Sequence, residues 1–456
     1  MGTPGVIGWL YACGGIVPAP FGAIRVFDWD GGSWNQVGED ILGDFPALFF
    51  GTVGSILSMS HDGNTIAYTI LGNDTVMVKT WNGIEWANKG NSIVRDIPTS
   101  EITEYTFGNN IDLDHDGNTL IIGHPITAEG SGGRALVYVW NGSSWEQKGA
   151  VIQDLSEQEP GAGWDVSITH DGNTVAVSHP YYQGPSGNDN GYVRIYEWNL
   201  ANWEQKGLDI YGESFQGGSG ASFSISGDGN TIAIGEPDNN SGSLENAGHV
   251  RIHHWNGNEW DRKGLDINGT EDYERLGINV SLSADGNLAA IGSQIGSEFP
   301  VVMENNVYRW NPIASSWEIE FTITNEYLVE SNWVRRDQWL NTSADGNTIV
   351  IGSHGDYESD YVGSVRVFGN PQPQGVNEPN ELAVALTPNP SSGIFTVNLP
   401  DQINIQASVF DALGKLVATS NEKGTFNLDL SEVPVGIYTL RLDTESGLFT
   451  RKLVKR

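Results

Sequence analysis

The sequence of 456 residues has little cysteine, few basic residues and no long apolar run. Cys13 is its one cysteine, which excludes a disulfide bond within the chain. No run approaches about 20 apolar residues, so we expect no transmembrane segment. No stretch shows an apolar period of about 3.6 residues, so we expect almost no helix. The 58 glycines and 16 tryptophans that are present are typical of short strands joined by tight turns.

The charge is strongly acidic and unevenly placed. The chain carries 57 acidic and 23 basic residues, a formal net charge of −34, and 48 of the acidic residues precede position 376. Such a surface repels nucleic acid, because binding there requires Lys and Arg to neutralise phosphates. It favours solubility and attracts divalent cations.

The N-terminal segment lacks the features of a signal peptide. The first basic residue is Arg25, so a positively charged leader region is missing. The segment from Leu10 to Gly14 is only faintly similar to a lipoprotein cleavage site. We expect the native N-terminus to lie outside this sequence.

A tripeptide, Asp-Gly-Asn, recurs at intervals of 54 to 60 residues. Each copy follows an alternating segment such as Val280–Ser283 and precedes an apolar one such as Thr231–Gly235. Asp-Gly between two such segments predicts a β-hairpin, because Gly and Asn tolerate the positive φ angles of tight turns. The six copies begin at Asp62, Asp116, Asp171, Asp228, Asp285 and Asp345.

A second hairpin, marked by two tryptophans, follows each of the first five copies, and a similar hairpin precedes the first copy. The pairs are Trp29/Trp34, Trp81/Trp86, Trp140/Trp145, Trp198/Trp203, Trp255/Trp260 and Trp310/Trp317. Four strands, a to d, in about 55 residues predict one blade of a β-propeller. We expect the small serines of strand a near the axis and the tryptophans near the outer rim, packed between blades. The repeats predict a seven-bladed propeller over residues 1–369, with six blades as the alternative.

One repeat carries a more specific pattern. It reads Phe107-Gly108, then Asp116-Gly117-Asn118, then Gly123-His124-Pro125. This resembles the FG-GAP-type repeat of integrin-α-like propellers, and the resemblance extends over roughly residues 22–368. It implies a non-enzymatic binding or adhesion module.

The C-terminal part differs in character. Prolines 371, 373 and 379 indicate a linker at 370–380. Residues 381–456 contain no Trp, and about seven short strands predict an immunoglobulin-like β-sandwich.

The same segment closely resembles the type A sorting domain of type IX secretion, found in Bacteroidetes-type bacteria. The resemblance implies recognition by the type IX secretion machinery, export across the outer membrane, and a final location on the cell surface or outside the cell. The residues that carry it are Pro388, Asn389, Pro390, Gly393, Gly414, Gly436, Tyr438, Lys452 and Lys455.

Candidate ligand-binding residues lie in the b–c loops, on the face where propellers usually bind. Aromatic rings combined with carboxylates and amides suit a sugar or a peptide. The alternative is that these side chains only solvate their turns. The candidates are Tyr181, Tyr182, Asn188, Asp189, Asp238, Asn239, Asn240, Asp356, Tyr357, Asp360 and Tyr361.

Asp112, Asp114 and Asp116 form a partial calcium loop, with carboxylates at alternate positions as Ca²⁺ prefers. Leu120 stands where the later acidic ligand is expected, so a plain turn is the alternative. Histidines also recur in register: His61, His115 and His170 before the turns, and His124 and His179 after strand b. Duplication explains this, whereas a metal site needs convergence in space.

These features predict a secreted or cell-surface protein that binds a glycan or protein ligand. We identify no nucleophile motif, phosphate loop or other catalytic residue. A rival hypothesis, a glycan-active hydrolase or lyase, requires two carboxylates near the propeller centre. A third is a structural surface component without a discrete ligand.

Overall fold

The computed structural model describes residues 23–30, 33–42, 53–70, 74–95, 107–125, 133–153, 161–180, 182–183, 190–214, 217–296, 301–329, 339–353, 364–369, 385–387, 391–398, 404–410, 415–444 and 447–456. Regular structure in these residues consists of β-strands, and they contain no helix. This confirms the all-β prediction. Accordingly, no helix suited to crossing a membrane occurs in the described part of the chain. The chain divides into two compact units, Met1–Asn370 and Pro371–Arg456.

In the first unit, two short antiparallel pairs precede six sheets that follow one another along the chain, which we number blades 1 to 6. The short pairs are β1 (Ala23–Ile24) with β4 (Ile41–Leu42) and β2 (Phe27–Trp29) with β3 (Trp34–Gln36). Blade 1 comprises β5 (Val53–Met59), β6 (Thr65–Ile70), β7 (Thr75–Trp81), β8 (Trp86–Asn88) and β9 (Ile93–Val94). Blade 2 comprises β10 (Ile111–Leu113), β11 (Thr119–His124), β12 (Arg134–Trp140), β13 (Trp145–Gln147) and β14 (Ile152–Gln153).

The later blades repeat this arrangement with some variation. Blade 3 comprises β15 (Val166–Ile168), β16 (Thr174–His179), β17 (Tyr192–Trp198), β18 (Trp203–Gln205) and β19 (Ile210–Tyr211). Blade 4 comprises β20 (Ser222–Ile225), β21 (Thr231–Glu236), β22 (His249–Trp255), β23 (Trp260–Arg262) and β24 (Ile267–Asn268). Blade 5 has four strands, β25 (Asn279–Leu282), β26 (Leu288–Ile295), β27 (Val301–Asn311) and β28 (Ser316–Val329), and blade 6 has three, β29 (Trp339–Thr342), β30 (Thr348–Ser353) and β31 (Ser364–Gly369).

Blades 1 to 5 are antiparallel meanders in the predicted order a-b-c-d, and blade 6 has strands a, b and c in the same order. The sequence did not predict that the outermost strand is split. In blades 1 to 4, strand d pairs with the end of strand c, and a further two-residue strand pairs with its beginning. A glycine with positive φ lies between the two pieces, for example Gly149 at φ 78°. Its left-handed backbone interrupts the strand at little steric cost.

Successive blades meet through their innermost strands, in the order β5, β10, β15, β20, β25 and β29. Backbone hydrogen bonds join the a–b turns of neighbouring blades, and each turn donates to the turn of the next blade. The series begins with the backbone N–H of His61, which donates to the His115 carbonyl, and ends with that of Ala284, which donates to the Ala344 carbonyl. Asp345 of blade 6 lies within electrostatic range of His61 of blade 1. The turns therefore return on themselves around a common axis, and the first unit is a β-propeller. The number of blades, seven or six, stays a prediction.

Apolar residues of adjacent sheets form the cores between blades. One cluster joins Val76 and Val78 of blade 1 to Phe107, Leu120 and Ile122 near or within blade 2. Strand b is buried along its whole length in blades 2, 3 and 4, as expected for a strand covered on both faces.

The second unit packs two sheets around one core. One sheet has the order β32 (Ala385–Thr387), β33 (Ile394–Asn398), β36 (Phe426–Asp429), and the other has the order β35 (Leu416–Lys423), β34 (Asn404–Phe410), β37 (Gly436–Thr444), β38 (Gly447–Lys455). Phe395 and Leu428 from the first sheet and Val409 and Leu440 from the second belong to a single buried cluster. Such face-to-face packing is that of a β-sandwich. Its assignment to the immunoglobulin-like class stays a prediction.

Candidate functional site

The innermost strands present a row of small polar side chains toward the axis. These strands are sheet edges, so half of their N–H groups have no partner within their own sheet. The preceding blade supplies the acceptors: Leu113 N–H donates to Ser58 Oγ at 3.0 Å, Leu282 N–H to Ser224 Oγ at 3.0 Å, and Thr342 N–H to Ser281 Oγ at 3.0 Å. The serines therefore connect successive blades, and their small size suits the crowded centre.

Two carboxylates take the same accepting role in blades 2 and 3, Asp112 within β10 and Asp165 immediately before β15. Asp112 accepts a hydrogen bond from Ile168 N–H at 2.9 Å, and Asp165 accepts one from Phe223 N–H at 3.0 Å. Burial raises the pKa of Asp112 to about 6. Burial, with a further contribution from the Asp112 charge, raises the pKa of Asp165 to about 7. The propeller thus holds near its axis two interacting carboxyl groups that titrate close to neutrality.

The three aspartates of the predicted calcium loop have different partners. Asp112 contacts the neighbouring inner strands, where Ser58 Oγ and Ser167 Oγ donate to it at 3.0 and 3.1 Å. Asp114 is buried and accepts the N–H groups of Asn118 and Thr119 within its own turn, and Asp116 also accepts the Asn118 N–H. No cluster of three or more His, Cys, Asp or Glu side chains in the described ranges is arranged to hold a metal ion. Calcium binding stays a prediction that these contacts do not favour.

Aromatic rings gather on the b–c loop side of blade 3. Tyr182, one of the predicted ligand-binding residues, lies 5.0 Å from Tyr192 and 6.4 Å from Tyr211, measured between ring centroids. Tyr192 is buried, whereas Tyr211 is 39% exposed. Arg194 lies 4.8 Å from the Tyr192 ring and forms a bidentate ion pair with Asp209. The buried ring and the ion pair fix the base of a cluster whose outer rings face solvent.

The loop of blade 4 joins this aromatic cluster. Asn239 Nδ2 donates to Ser214 Oγ at 2.8 Å, and Ser214 follows Tyr211 by three residues. Asp238 forms an ion pair with Arg275 at 2.8 Å. We call the region formed by Tyr182, Tyr211, Glu213, Ser214, Asp238 and the buried Asn239 the tyrosine–amide patch.

A buried ion pair anchors the tyrosine–amide patch from below. Glu236 and Arg251 are fully or almost fully buried and paired, and Arg251 Nη2 also donates to the Tyr211 carbonyl at 2.8 Å. Burial alone would raise the pKa of Glu236, but the hydrogen bond from His249 and the charge of Arg251 hold that pKa at about 2. The carboxylate therefore stays charged and keeps the Tyr211 backbone in place at any ordinary pH.

The structure unites only part of the predicted ligand set. Tyr182, Asp238 and Asn239 belong to the tyrosine–amide patch, and Asn240 lies beside it, accepting the Asn246 N–H at 2.8 Å. Tyr211, which the sequence analysis missed, lies in the short outer strand β19, and only the regular recurrence of that strand could have pointed to it. Tyr181, Asn188, Asp189, Asp356, Tyr357, Asp360 and Tyr361 lie outside the described residues.

Several residues of the sorting motif hold the C-terminal sandwich together. Gly393 has φ 146°, and its carbonyl accepts the Leu430 N–H at 2.7 Å. The Tyr438 hydroxyl donates to the Pro434 carbonyl at 2.6 Å. Buried Lys455 donates to the carbonyls of Ser431 and Val433 at 2.7 and 2.5 Å. Gly436 begins β37 and Lys452 pairs with Thr439 in β38, while Pro388, Asn389, Pro390 and Gly414 lie outside the described residues.

Comparison with known proteins identifies the C-terminal unit. Residues 385–456 match the family described as the secretion system C-terminal sorting domain. The match confirms the predicted sorting domain and indicates export by type IX secretion, to the cell surface or beyond it. No curated protein matches the sequence.

Similar solved structures add information on the fold alone. A functionally unknown protein from Desulfotomaculum acetoxidans is 11% identical, with a TM-score of 0.50, and the alignment covers 76% of this chain and 89% of that one. The periplasmic gluconolactonase PpgL of Pseudomonas aeruginosa is 12% identical with a TM-score of 0.47, covering 99% of both chains. The β-propeller domain of Cps50 (Swd1) from Myceliophteria thermophila is 10% identical with a TM-score of 0.45, covering 76% and 90%.

Proposed function

We propose that this protein is an exported, cell-surface or secreted glycan-binding propeller, and that the tyrosine–amide patch is its binding site. The observation that carries the proposal is the exposed Tyr211 ring held beside Tyr182, with Asp238 on the adjoining loop that buried Asn239 ties to Ser214. A tyrosine face stacks on the apolar face of a sugar ring, while a carboxylate accepts hydrogen bonds from its hydroxyls. The FG-GAP-like pattern supports the same class of function.

The test is a glycan array probed with the purified full chain and with Tyr211→Ala. We expect removal of the Tyr211 ring to weaken binding at least tenfold, because an aromatic ring at a binding site contributes more than about 1.4 kcal/mol to the free energy of binding. Ile84→Ala is the control: Ile84 is 86% exposed and lies in the turn between β7 and β8 of blade 1, so binding should be unchanged. Absence of any glycan signal above background for the unaltered chain would overturn the proposal and favour a structural surface component.

Export is tested separately by deletion of residues 381–456. We expect the shortened protein to accumulate in the periplasm, because the segment that the secretion machinery recognises is missing. Unchanged secretion would contradict the assignment of the C-terminal unit as the export signal.

A second candidate function, a glycan-active hydrolase or lyase, is favoured by one observation. Asp112 and Asp165 interact near the axis, and their raised pKa values of about 6 and 7 would allow one to be protonated while the other is charged, as an acid–base pair requires. Incubation of the full chain and of Asp165→Asn with an oligosaccharide library separates the two functions. Products formed by the unaltered chain and not by the variant would establish catalysis.

The seven-blade ring is also part of this proposal. The hairpin of β2 and β3 contacts blade 1 in the same way that each blade contacts the next. Trp86 Nε1 of blade 1 donates to the Val37 carbonyl, which follows β3, at 2.9 Å, and Trp145 Nε1 of blade 2 likewise donates to the Lys89 carbonyl of blade 1 at 2.8 Å. This likeness supports a seventh blade position for the hairpin. Projection images of the propeller along its axis by electron microscopy would distinguish seven blades from six.

A further inference from the structure

Three imidazole rings meet at the end of the axis where the a–b turns lie. His61, His115 and His170 occupy the same position in blades 1, 2 and 3, immediately before the Asp-Gly-Asn turn. The His61 N–H donates to the His115 carbonyl at 3.0 Å, and the His115 N–H donates to the His170 carbonyl at 3.2 Å. Their ring centroids are 4.2, 4.9 and 6.1 Å apart. Residues more than fifty positions apart in sequence thus form one cluster, which we call the histidine cluster.

The ring separations are near those that a metal ion with three imidazole ligands requires, although the rings would have to turn to bind one. Zn²⁺ binds imidazole nitrogen at about 2.0–2.1 Å in tetrahedral geometry, which places the ring centres about 5 Å from one another. The observed distances lie on both sides of this value. In the present arrangement His61 and His115 stack, with 18° between their planes, so their nitrogens do not yet point to a common centre.

Local surroundings permit the necessary rotation. All three histidine side chains are exposed, so staggered rotamers about χ1 and χ2 are accessible without disturbing the core. Gly227 occupies the equivalent position in blade 4, and a Cβ atom there would lie 2.6 Å from the His170 ring. The absence of a side chain at this one position therefore leaves room for the His170 imidazole.

The field around the histidine cluster also favours a cation. Asp62, Asp171 and Asp345 belong to the turns of blades 1, 3 and 6, and each accepts a hydrogen bond at 2.6 Å from a hydroxyl of its own turn, that of Ser60, Thr169 or Ser343. The turns thus place carboxylates beside the three histidines. Their negative potential raises the local concentration of divalent cations.

We propose that His61, His115 and His170 bind one first-row transition-metal ion of the Zn²⁺ class on the turn side of the propeller axis. Imidazole ligands select Zn²⁺, Cu²⁺ and Ni²⁺ over Ca²⁺ and Mg²⁺, which prefer oxygen. The bound ion cross-links three consecutive blades, so binding stabilises the propeller through mass action. This site is independent of the tyrosine–amide patch, which lies on the b–c loop side.

The test measures Zn²⁺ binding to the full chain, without a polyhistidine tag, by competition with a chromogenic chelator. We expect one equivalent of Zn²⁺ per chain, and at least tenfold weaker binding by His115→Ala. Alanine stands at the same position in two other blades, as Ala284 and Ala344, so the fold tolerates this residue. His254→Ala, a histidine in β22 outside the cluster, is the control and should bind like the unaltered chain.

Two further readouts separate the histidine cluster from the acidic surface. Zn²⁺ should raise the thermal unfolding temperature of the unaltered chain and not that of His115→Ala, whereas an equal concentration of Ca²⁺ should not displace the Zn²⁺. Absence of stoichiometric binding would overturn the proposal. So would binding that Ca²⁺ abolishes, or that His115→Ala leaves unchanged, because either result would assign the ion to surface carboxylates.

Discussion

The indole N–H of Trp203 donates to the backbone carbonyl of Lys148 in the preceding blade at 2.8 Å, and the Lys148 ammonium group lies 5.3 Å from the centre of the same indole. That ammonium group also donates to the Gly172 carbonyl and to Asn173 of the next blade, at 2.7 and 2.9 Å. Equivalent indole-to-carbonyl bonds recur at Trp86, Trp145, Trp260 and Trp317. The tryptophan repeat is therefore a device that joins each blade to its neighbour.

We predict that Trp203→Phe lowers the free energy of unfolding of the propeller by about 1–3 kcal/mol, because it leaves a partly buried Lys148 carbonyl without its donor. Urea unfolding followed by fluorescence measures the change. Trp29→Phe is the control: Trp29 is 39% exposed, so its replacement should change the free energy by no more than about 0.5 kcal/mol. Equal effects of the two substitutions would contradict the proposed role of the inter-blade bond.

Two glycines of blade 2 offer a matched pair. Gly142 (φ 99°) and Gly149 (φ 78°) both have positive φ, but a Cβ at Gly142 would meet nothing within 4 Å, whereas at Gly149 it would lie 2.5 Å from the Trp198 ring. Gly142→Ala should cost about 1–2 kcal/mol from backbone strain. Gly149→Ala should cost about 1–3 kcal/mol more, since it also overpacks the inter-blade contact. Thermal or urea unfolding of both variants checks the difference, and equal losses would refute it.

The raised pKa of Asp165 predicts a pH dependence of stability. The unfolded carboxyl loses its proton near its ordinary pKa of 3.8, whereas the folded one keeps it until about pH 7. The folded state therefore loses relative stability as pH rises from about 4 to 7, by at most about 4 kcal/mol. Asp165→Asn should flatten the upper part of the stability profile, between about pH 6 and 7, measured as unfolding temperature against pH, because Asp112, with a pKa of about 6, adds its own slope at lower pH.

The control for this pH profile is Asp62→Asn. The pKa of Asp62 is lowered, since hydrogen bonds from Ser60 and Asn64 outweigh its burial. Its contribution to stability is present above the unfolded pKa and is lost as pH falls below about 4. The slope between pH 6 and 7 should thus survive in Asp62→Asn, and an unchanged slope in the same range for Asp165→Asn would show that Asp165 does not cause it.

In the C-terminal unit, we predict that Lys455→Ala weakens the pairing of the last strand. The substitution removes two charged hydrogen bonds, to Ser431 and Val433, and should destabilise this unit by about 2–4 kcal/mol. Hydrogen exchange measured by mass spectrometry should show faster exchange in β38 with an unchanged propeller. Lys423→Ala is the matched control, since Lys423 is exposed at the end of β35. Equal exchange in both variants would contradict the stabilising role of the Lys455 hydrogen bonds.

Local patterns in the sequence determined the strands and the turns. Asp-Gly-Asn requires a tight turn because Gly63, Gly117 and their counterparts adopt positive φ, and this requirement involves only adjacent residues. The Trp-to-Trp spacing fixed the second hairpin in the same way, with Trp140 opposite Trp145 and Trp198 opposite Trp203. The sorting motif was likewise readable in order along the chain, and the family match confirmed it.

Contacts between blades were decided by the tertiary structure. The grouping of His61, His115 and His170, the approach of Asp112 to Asp165, and the joining of Tyr211 to Tyr182 all depend on which repeat lies beside which. The repeats resemble one another in sequence, so the pattern within one copy does not predict which side chains of the neighbouring copy it contacts. Only the closing of successive sheets around an axis converts a separation of about 55 residues into a distance of a few ångströms, and the candidate sites of this protein arise from that step.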